Sequence, residues 1–360
     1  MSDDQPERLR LVESVVTVAD ADGVRLIRGH EVLRVRGEAA SLFTDVERLR
    51  TGLSREEAAA GQPRSVLRQL VARLGSMGWL AGHDPEYGRG TPIERQIGYL
   101  TLFGSDAAAM QQRISKARVA VLGVGAVGGI VAQHLAGAGV GELWLIDHDR
   151  LSLHNLNRQF LGGRQDVGRA KIDVAADSLT RLAPGLRIHP LDLRVASPTD
   201  LQQLTGPVHL LMVAADTPSN IVDIAWQWAR SRGVPVCTAA VGLGVGFWGP
   251  LLVPDRGHCW ECFEAGRRSL LSTEEAAAEE AADRPTPYSF GPANTAVSAL
   301  CAQELLRFLA VGTCAVLNRR GHIRFADSRT SFLEGSACTC RTVLRETAAD
   351  SPRPTTEQQH

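Results

Sequence analysis

Three glycines and one carboxylate are the first residues in this chain whose spacing could do chemistry. The apolar segment RVAVLGVG runs into GAVGGIVAQHLAGAG and gives Gly123-x-Gly125-x-x-Gly128. Glycine lets the backbone turn sharply and approach a phosphate, and the helix that follows offers free N–H groups and the positive end of its dipole. Asp147 ends the next apolar run, where a carboxylate can bind ribose hydroxyls. The pattern predicts a nucleotide site built from these four residues.

A polar segment with two cations follows Asp147 directly. Residues 147–171, DHDRLSLHNLNRQFLGGRQDVGRAK, contain Asn155, Arg158, Gln159 and Lys171. A planar arginine fork and a lysine point charge suit a triphosphate. A nicotinamide site would instead need room for the ring and a proton donor, so a nicotinamide oxidoreductase is the weaker interpretation.

A second carboxylate, Asp216, follows the apolar run LLMVAA. It is expected at the carboxyl edge of the sheet, where open α/β folds bind their ligands. A carboxylate beside the phosphates can hold Mg²⁺, which neutralises charge on a leaving pyrophosphate. The alternative for Asp216 is a helix N-cap. We therefore predict ATP and Mg²⁺ as ligands of this edge.

Four of the seven cysteines form two close pairs. GHCWECFE gives Cys259-x-x-Cys262, and GSACTCRT gives Cys338-x-Cys340. Two such pairs can enclose a tetrahedral Zn²⁺, and four thiolates leave no coordination position open for catalysis. The pairs predict a structural zinc site, with reduced free thiols as the alternative.

The elements that must position these residues alternate between strands and helices. Short apolar runs predict buried parallel strands, separated by segments with helical spacing, at 118–125, 142–147, 187–193, 208–214 and 234–240. This alternation favours an α/β fold with a Rossmann-like, doubly wound, mostly parallel sheet.

Residues 1–85 predict a small, winged-helix-like α+β domain. VESVVTVAD and GVRLIRG flank an Asp-Gly hairpin signal, and HEVLRVRG offers a third strand. RSVLRQLVARLGSMGWL then places apolar residues on one helical stripe, at Leu67, Leu70, Val71, Leu74 and Met77.

Composition and boundaries set the rest of the organisation. A Gly- and Pro-rich linker at 86–92 separates the first domain from a second at 93–345, and the polar tail at 346–360 is expected to be disordered. The net charge of −1 argues against a nucleic-acid partner. No run approaches the ~20 apolar residues of a membrane span, and the charged start MSDDQPERLR lacks a signal-peptide core. We expect a cytoplasmic protein with no membrane partner.

NLNRQFL, preceded by DHDRL and followed by DVGRAK, resembles the adenylation core of the ubiquitin-activating and MoeB/ThiF superfamily. The resemblance covers roughly residues 93–341. It implies that Asp147 binds the ATP ribose and that Arg158 and Lys171 bind the phosphates. It also implies that Asp216 serves Mg²⁺ or the reacting phosphate, with Asn155 and Gln159 beside them.

The same resemblance extends to IERQIGYL, residues 93–100. In the family, an arginine of this segment reaches the γ-phosphate in the partner subunit's site, which implies a role for Arg95 and a homodimer. The cysteine pairs match the superfamily's zinc site, except that the second pair is CxC instead of CxxC. A C-terminal antiparallel extension of the sheet is implied as well.

Such enzymes join a carboxylate to ATP and release an acyl-adenylate and pyrophosphate. The carboxylate is already a nucleophile, so positioned cations matter more than a general base. Members that pass the acyl group to their own thiol carry a cysteine after the first CxxC, and residues 263–294 contain none. A thioester step on this chain is therefore not expected.

Residues 1–85 resemble the PqqD-like recognition domains of ribosomal-peptide modification enzymes, which bind a leader peptide as an added strand. The leading hypothesis is ATP-dependent adenylation of a carboxylate on a ribosomally made precursor peptide, in natural-product maturation. One alternative is an adenylyltransferase for the C-terminus of a ubiquitin-like sulfur carrier. Another is a non-catalytic leader-docking partner of a cyclodehydratase.

Overall fold

The computed structural model describes residues 8–60, 65–81, 87–274, 276–277, 288–335, 338 and 340. The predicted tail at 346–360 lies outside these residues, as does the first residue of the predicted linker. The chain forms two compact units. The first unit contains the residues up to Lys116 together with Gly137–Gly139 and Leu306–Gly312, and the second contains the remainder.

The first unit is a mixture of short strands and helices. Its strands are β1 (Arg8–Leu11), β2 (Val16–Asp20), β3 (Gly23–Arg28), β4 (Glu31–Arg36), β5 (Leu53–Ser54) and β6 (Leu80–Ala81). Its helices are α1 (Ala39–Thr51), α2 (Arg55–Ala59), α3 (Val66–Ser76), α4 (Glu94–Leu100) and α5 (Ala107–Lys116). The helices α4 and α5 thus belong to the first unit, although they follow the predicted boundary at residue 93.

Two small sheets organise this unit. The antiparallel order β2-β3-β4 contains the three predicted strands, and the predicted hairpin turn pairs Asp20 with Gly23. A second sheet, β5-β1-β6, was not predicted, because two of its strands are only two residues long. Leu70 and Leu74 of the predicted helical stripe are buried in the core against Trp79.

The second unit begins with the strand that carries the glycine motif. Its strands are β7 (Arg118–Leu122), β8 (Glu142–Asp147), β9 (Arg187–Asp192), β10 (Leu210–Val213), β11 (Val236–Val241), β12 (Val245–Leu252), β13 (Arg319–Arg324) and β14 (Arg329–Glu334). Its main helices are α6 (Ala126–Gly137), α7 (Lys171–Leu182), α8 (Ile221–Arg232), α9 (Trp260–Arg268) and α10 (Gly291–Val311). The last residue of α6 and the residues of α10 from Leu306 onward belong to the first unit.

One eight-stranded sheet runs through this unit in the order β14-β13-β12-β11-β10-β7-β8-β9. The five strands from β7 to β11 are parallel, and β12, β13 and β14 extend them antiparallel. This confirms the predicted fold class. Within this sheet the chain first forms β7. It then adds β8 and β9 on one side of β7 and crosses to form β10 on the other side of β7. The boundary between β7 and β10 is therefore the topological switch point, where such sheets bind ligands.

The central strands are buried on both faces, as parallel strands between helices require. Every residue of β10 is buried, and all of β7 except Arg118 is buried. The edge strand β9 differs, because Arg187 and Asp192 at its ends are exposed and Pro190 lies between them. No helix in the described part of the chain is long and apolar enough to span a bilayer.

Candidate active site

The glycine motif forms a tight loop between β7 and α6 at the switch point. Gly123 has φ +90°, and a Cβ there would lie 2.5 Å from the backbone nitrogen of Ala215. A Cβ on Gly128 would overlap the carbonyl oxygen of Gly123. Both positions therefore require glycine, as the motif predicted. Gly125 has room for a methyl group, since the nearest atom, Gln159 Nε2, would be 3.8 Å away.

Asp147 ties this loop to the segment that follows β8. Its Oδ2 accepts a hydrogen bond of 2.7 Å from the backbone N–H of Val124, and its Oδ1 accepts one of 2.8 Å from the N–H of Asp149. One carboxylate thus fixes the glycine loop and begins a turn. This places the predicted ribose-binding residue against the loop.

Asp149 continues the same chain of contacts to Lys171, the first residue of α7. Lys171 Nζ lies 2.7 Å from Asp149 Oδ2, and the backbone N–H of Lys171 donates to the Asp149 carbonyl at 2.9 Å. The lysine side chain is only 11% exposed. Burial alone would raise the pKa of the Asp149 carboxyl, but the hydrogen bond and charge of Lys171 hold its pKa below the ordinary value.

A small cavity of about 20 Å³ lies beside this chain of contacts. Its polar side chains are Gln159 and Lys171, and Gly125 at the start of α6 forms part of its wall. The remaining walls are mostly apolar and include Ile130 and Val174. The structure therefore brings three predicted residues together in one cavity, which offers a cation, an amide and the N-terminal end of a helix to an anionic ligand.

Two further predicted residues lie in the loop between β8 and α7. Asn155 is buried, and its Oδ1 accepts from the backbone N–H of Ser152 at 3.0 Å. Arg158 is half-buried and donates through Nη1 to the carbonyl of His154 at 2.8 Å and to Asn157 Oδ1 at 2.9 Å. Arg158 does not line this small cavity. Its guanidinium is fixed to the loop instead.

Asp216 lies just beyond β10, in the segment that approaches Gly123. Its side chain is exposed, and Oδ1 accepts from Thr217 Oγ1 at 3.2 Å. Carboxylate and hydroxyl oxygens are hard ligands of the kind that Mg²⁺ prefers. Arg95 belongs to the other unit, where it is exposed on α4.

The four paired cysteines converge at the start of α9. Their sulfur atoms all lie within 4.8 Å of one another. The measured separations are 3.8 Å for Cys259–Cys340 and Cys262–Cys338, 3.4 Å for Cys259–Cys338 and 3.3 Å for Cys262–Cys340. A zinc ion with Zn–S bonds of about 2.3 Å separates its sulfurs by about 3.8 Å. The donor set and its spacing therefore fit Zn²⁺, and the CxC pair reaches the site.

Backbone contacts explain how the two cysteine pairs meet. Cys259 caps α9, and its sulfur accepts from the N–H of Cys262 at 3.4 Å. The N–H of Cys338 donates to the carbonyl of Gly257 at 2.9 Å, which brings the second pair beside the first. Burial raises the pKa of the Cys259 thiol, so a bound cation is needed to keep this sulfur as a thiolate.

Asp149 is a charged residue of this site that the sequence analysis did not predict. The signal was present as the Asp-x-Asp spacing of residues 147 and 149. The sequence predicts a role for the first carboxylate alone, because a ribose-binding carboxylate is expected at the end of a strand. The second acidic residue lies in the loop that follows.

Comparison with known proteins gives a family and a fold. The model of the ThiF family matches residues 93–341, which is more than half of the chain. The molybdopterin-synthase adenylyltransferase of Salmonella typhimurium is 44% identical over 85 residues, covering 24% of this chain and 34% of that protein. The sulfur carrier protein adenylyltransferase of Thermus thermophilus is 34% identical over 158 residues, covering 42% of this chain and 57% of that protein. The matched segments thus span between a third and three fifths of these curated relatives.

The fold is also that of MccB from Escherichia coli. The two structures superpose with a TM-score of 0.78 over 92% of this chain and 95% of MccB, at 22% identity. MccB is described as a microcin C7 biosynthetic enzyme and has been solved with ATP and with N-formylated MccA. The glycine loop, the NLNRQFL segment and the match over residues 93–341 place this chain in the ThiF family.

Proposed function

We propose that this chain is an ATP-dependent adenylyltransferase that activates a carboxylate on a ribosomally made precursor peptide. The observation that carries the proposal is the continuous set of contacts from the glycine loop through Asp147 and Asp149 to Lys171, beside one cavity. The likeness to MccB supports the peptide substrate, because it includes the N-terminal unit as well as the ThiF core.

The nucleotide is bound by residues with separate tasks. The ribose hydroxyls contact Asp147, and the phosphates approach the glycine loop, where the first N–H groups of α6 have no partner within the helix. Lys171 supplies a positive charge to the phosphates from the wall of the cavity. Arg158 contributes a second cation, and Asn155 and Gln159 hold the loop and the ligand beside it.

The reaction needs alignment more than proton transfer. A carboxylate oxygen of the peptide attacks the α-phosphorus of ATP and forms the acyl–phosphate bond. The bond from the α-phosphorus to the bridging oxygen breaks, and its electron pair leaves with pyrophosphate. No proton moves in this step, so the chain must bring two anions together and stabilise the charge that develops on the leaving group.

Asp216 is the residue that would hold Mg²⁺. Mg²⁺ is commonly bound by one or two carboxylates together with substrate phosphates, and Asp216 lies exposed at the switch point next to the glycine loop. When bound, the ion neutralises charge on the phosphates. Arg95 adds a cation to the site of a partner subunit in the proposed homodimer.

Zinc is assigned a structural role. Cys259, Cys262, Cys338 and Cys340 would hold it with all four positions filled by thiolates, which leaves none for a substrate. The ion would join the start of α9 to the segment after β14. We place the protein in the cytoplasm, where its precursor peptide binds through residues 1–85.

One other substrate is favoured by a specific observation. The curated relatives are named as adenylyltransferases of molybdopterin synthase and of sulfur carrier proteins. A sulfur carrier with a C-terminal Gly-Gly would present the same carboxylate chemistry. The lack of a cysteine at residues 263–294 and the N-terminal unit favour the peptide over the carrier. A docking partner without activity would not need the Asp149–Lys171 pair beside the cavity.

The test is ATP–pyrophosphate exchange with three separate acceptors. These are a candidate precursor peptide encoded beside this protein, a Gly-Gly-tailed carrier, and buffer alone. We expect exchange and a mass gain of one AMP, or loss of water from the peptide, only with the precursor peptide. Exchange with the carrier alone would establish the second substrate, and ATP binding without exchange on any acceptor would leave the docking role.

A further inference from the structure

A cleft of about 290 Å³ opens in the first unit, formed by residues that take no part in the proposed adenylation chemistry. It lies between β1, the end of α1, β6 and α4. Its polar side chains are Arg10, Glu13, Arg50, Tyr87, Arg89, Glu94 and Thr101. We call it the arginine cleft. Ligand sites commonly have volumes of about 300–1,000 Å³, so the cleft lies near the lower end of that range, which still suits a ligand larger than a single ion.

Two of these arginines are held in place by the fold. Arg50 is half-buried, and its Nη2 donates to the carbonyl of Val15 at 2.7 Å and to Thr17 Oγ1 at 3.2 Å, while its Nε forms an ion pair with the exposed Glu47 Oε1 at 3.2 Å. Arg10 packs over Gly52, where a Cβ would lie 2.8 Å from Arg10 Nε. Gly52 therefore makes room for the arginine side chain. Positioned guanidinium groups lose less conformational entropy on binding than mobile surface charges do.

A buried cation lies behind the wall of the cleft. Arg28 is 6% exposed and donates to Thr101 Oγ1 at 2.9 Å, and Thr101 lines the cleft. The Arg28 guanidinium also donates to Ser14 Oγ at 3.1 Å and to the carbonyl of Gly78 at 3.1 Å. All three acceptors of Arg28 are neutral. The carboxylate of Glu31 lies opposite Arg28 on the neighbouring strand β4. A buried charge acts over a longer distance than an exposed one because the interior screens it less.

The two glutamates limit which anion the cleft suits. Glu13 and Glu94 would repel a chain of phosphates, because such a ligand binds best to a continuous positive surface. Glu13 offers an acceptor to the N–H groups of a peptide backbone, whereas Glu94 Oε2 already accepts from the N–H of Gly90 at 2.8 Å. The buried apolar residues Leu11, Val12 and Ile97 complete the lining. Cations, acceptors and apolar contacts together match a peptide that carries carboxylates.

We propose that the arginine cleft binds an acidic segment of a peptide, whose carboxylates contact Arg10, Arg50 and Arg89. The proposal concerns binding alone. It rests on the peptide-binding role proposed above for residues 1–85, but it does not depend on adenylation of that peptide.

Fluorescence anisotropy on the full chain tests it with three labelled probes. These are a short peptide of alternating Asp, Leu and Gly, the same peptide with Asn in place of Asp, and an oligothymidylate of similar length. We expect the Asp peptide to bind at least tenfold more tightly than either of the others. Equal binding of the Asn peptide, or tighter binding of the oligothymidylate, would overturn the proposal.

One variant that removes a positive charge and one that removes a negative charge separate an effect on binding from an effect on folding. Arg10→Gln should weaken Asp-peptide binding about tenfold, since it removes a charge-assisted hydrogen bond. Glu13→Gln should strengthen it about two- to threefold by removing a repulsive charge. Arg48→Gln is the matched control, because Arg48 is exposed on the same helix as Arg50 and does not line the cleft. An Arg10→Gln effect no larger than that of Arg48→Gln, or weaker binding by Glu13→Gln, would contradict the assignment.

Discussion

The nucleotide cavity and the arginine cleft differ in how the chain supplies their side chains. All residues lining the cavity come from one stretch, between Val124 and Ala175. Those lining the cleft run from Arg10 to Thr101 and come from β1, α1, β6, α4 and the turns beside them. The cavity leaves a motif in the sequence, because its residues lie in two loops and two helices that follow one another closely in the chain. The residues of the cleft are of ordinary types at no fixed spacing, so only the fold shows them.

The strongest way to separate the two regions is to remove the cation of the cavity. Lys171→Ala should lower the rate of pyrophosphate exchange by about 10²–10³-fold, as for the loss of a preorganised group that stabilises developing charge. Asp-peptide binding in the arginine cleft should not change. The exchange assay and the anisotropy assay measure the two effects on the same sample.

Lys116→Ala is the matched control for that variant, since Lys116 ends α5 in the first unit and does not line the cavity. Its exchange rate should stay within about twofold of wild type. A Lys171→Ala protein with full exchange activity but weakened peptide binding would reverse the assignment of the two regions.

The cysteine cluster extends the comparison, because its two pairs are far apart in the chain and yet visible in the sequence. Cys259→Ser should abolish bound zinc and lower the melting temperature by more than about 5 °C, since the ion joins two distant segments. Zinc per chain and thermal melting check this. Cys314→Ser should keep its zinc, because Cys314 lies outside the cluster. If wild-type protein binds no zinc and Cys259→Ser melts at the same temperature as wild type, the cysteine cluster is not a zinc site.

Two glycines of the same motif should behave differently. Gly128→Ala places a methyl group against the carbonyl of Gly123 and should cost about 1–3 kcal/mol of unfolding free energy. Gly125→Ala has room for the methyl group and should leave stability unchanged while it weakens ATP binding several-fold. Denaturant unfolding and nucleotide titration distinguish the two. Equal loss of stability in both variants would mean that the motif serves packing alone.

A moderate effect is expected at Asp149. Asp149→Asn keeps a hydrogen-bond acceptor for Lys171 but removes the negative charge beside the phosphates. We expect kcat to fall about tenfold while ATP binding is unchanged or tighter, because alignment is lost and repulsion is reduced. Asp173→Asn, at an exposed position in the first turn of α7, is the control. Weaker ATP binding with unchanged kcat would exclude a positioning role.

The same variant has a consequence for the pH dependence of stability. The folded-state pKa of Asp149 is lowered, so its ion pair stabilises the protein above the unfolded pKa of about 3.9. This contribution is lost as the pH falls through the lower folded pKa. Acid unfolding of Asp149→Asn should therefore show a slightly shallower slope below pH 4, and an unchanged slope would argue against the pair.

The sequence predicted the parallel sheet well because buried strands appear as continuous apolar runs. The run at 142–147 coincides with β8, and Gly123 and Gly128 are required by contacts that the motif anticipates. The roles of Arg158, Asp216 and Arg95 stay predictions. The pairing of Asp149 with Lys171 was not predictable from periodicity. It depends on a loop that folds back so that Arg150 bridges to Ala170.

The first unit was harder to predict for a related reason. The segment VESVVTVAD was interpreted as one strand, whereas β2 starts only at Val16. Val12 and Val15 are buried in a turn, and the N–H of Val12 donates to the carbonyl of Trp79. Long-range contacts of this kind override local alternation of apolar and polar residues.

The end of the sheet at β9 has a consequence for how the protein behaves at high concentration. A free edge can recruit a strand from another molecule and start a growing aggregate. Pro190 removes one donor from β9, and the exposed charges of Arg187 and Asp192 stand at its two ends. A neighbouring molecule therefore finds an interrupted ladder flanked by charge, which discourages stacking of one copy on the next along this side of the sheet.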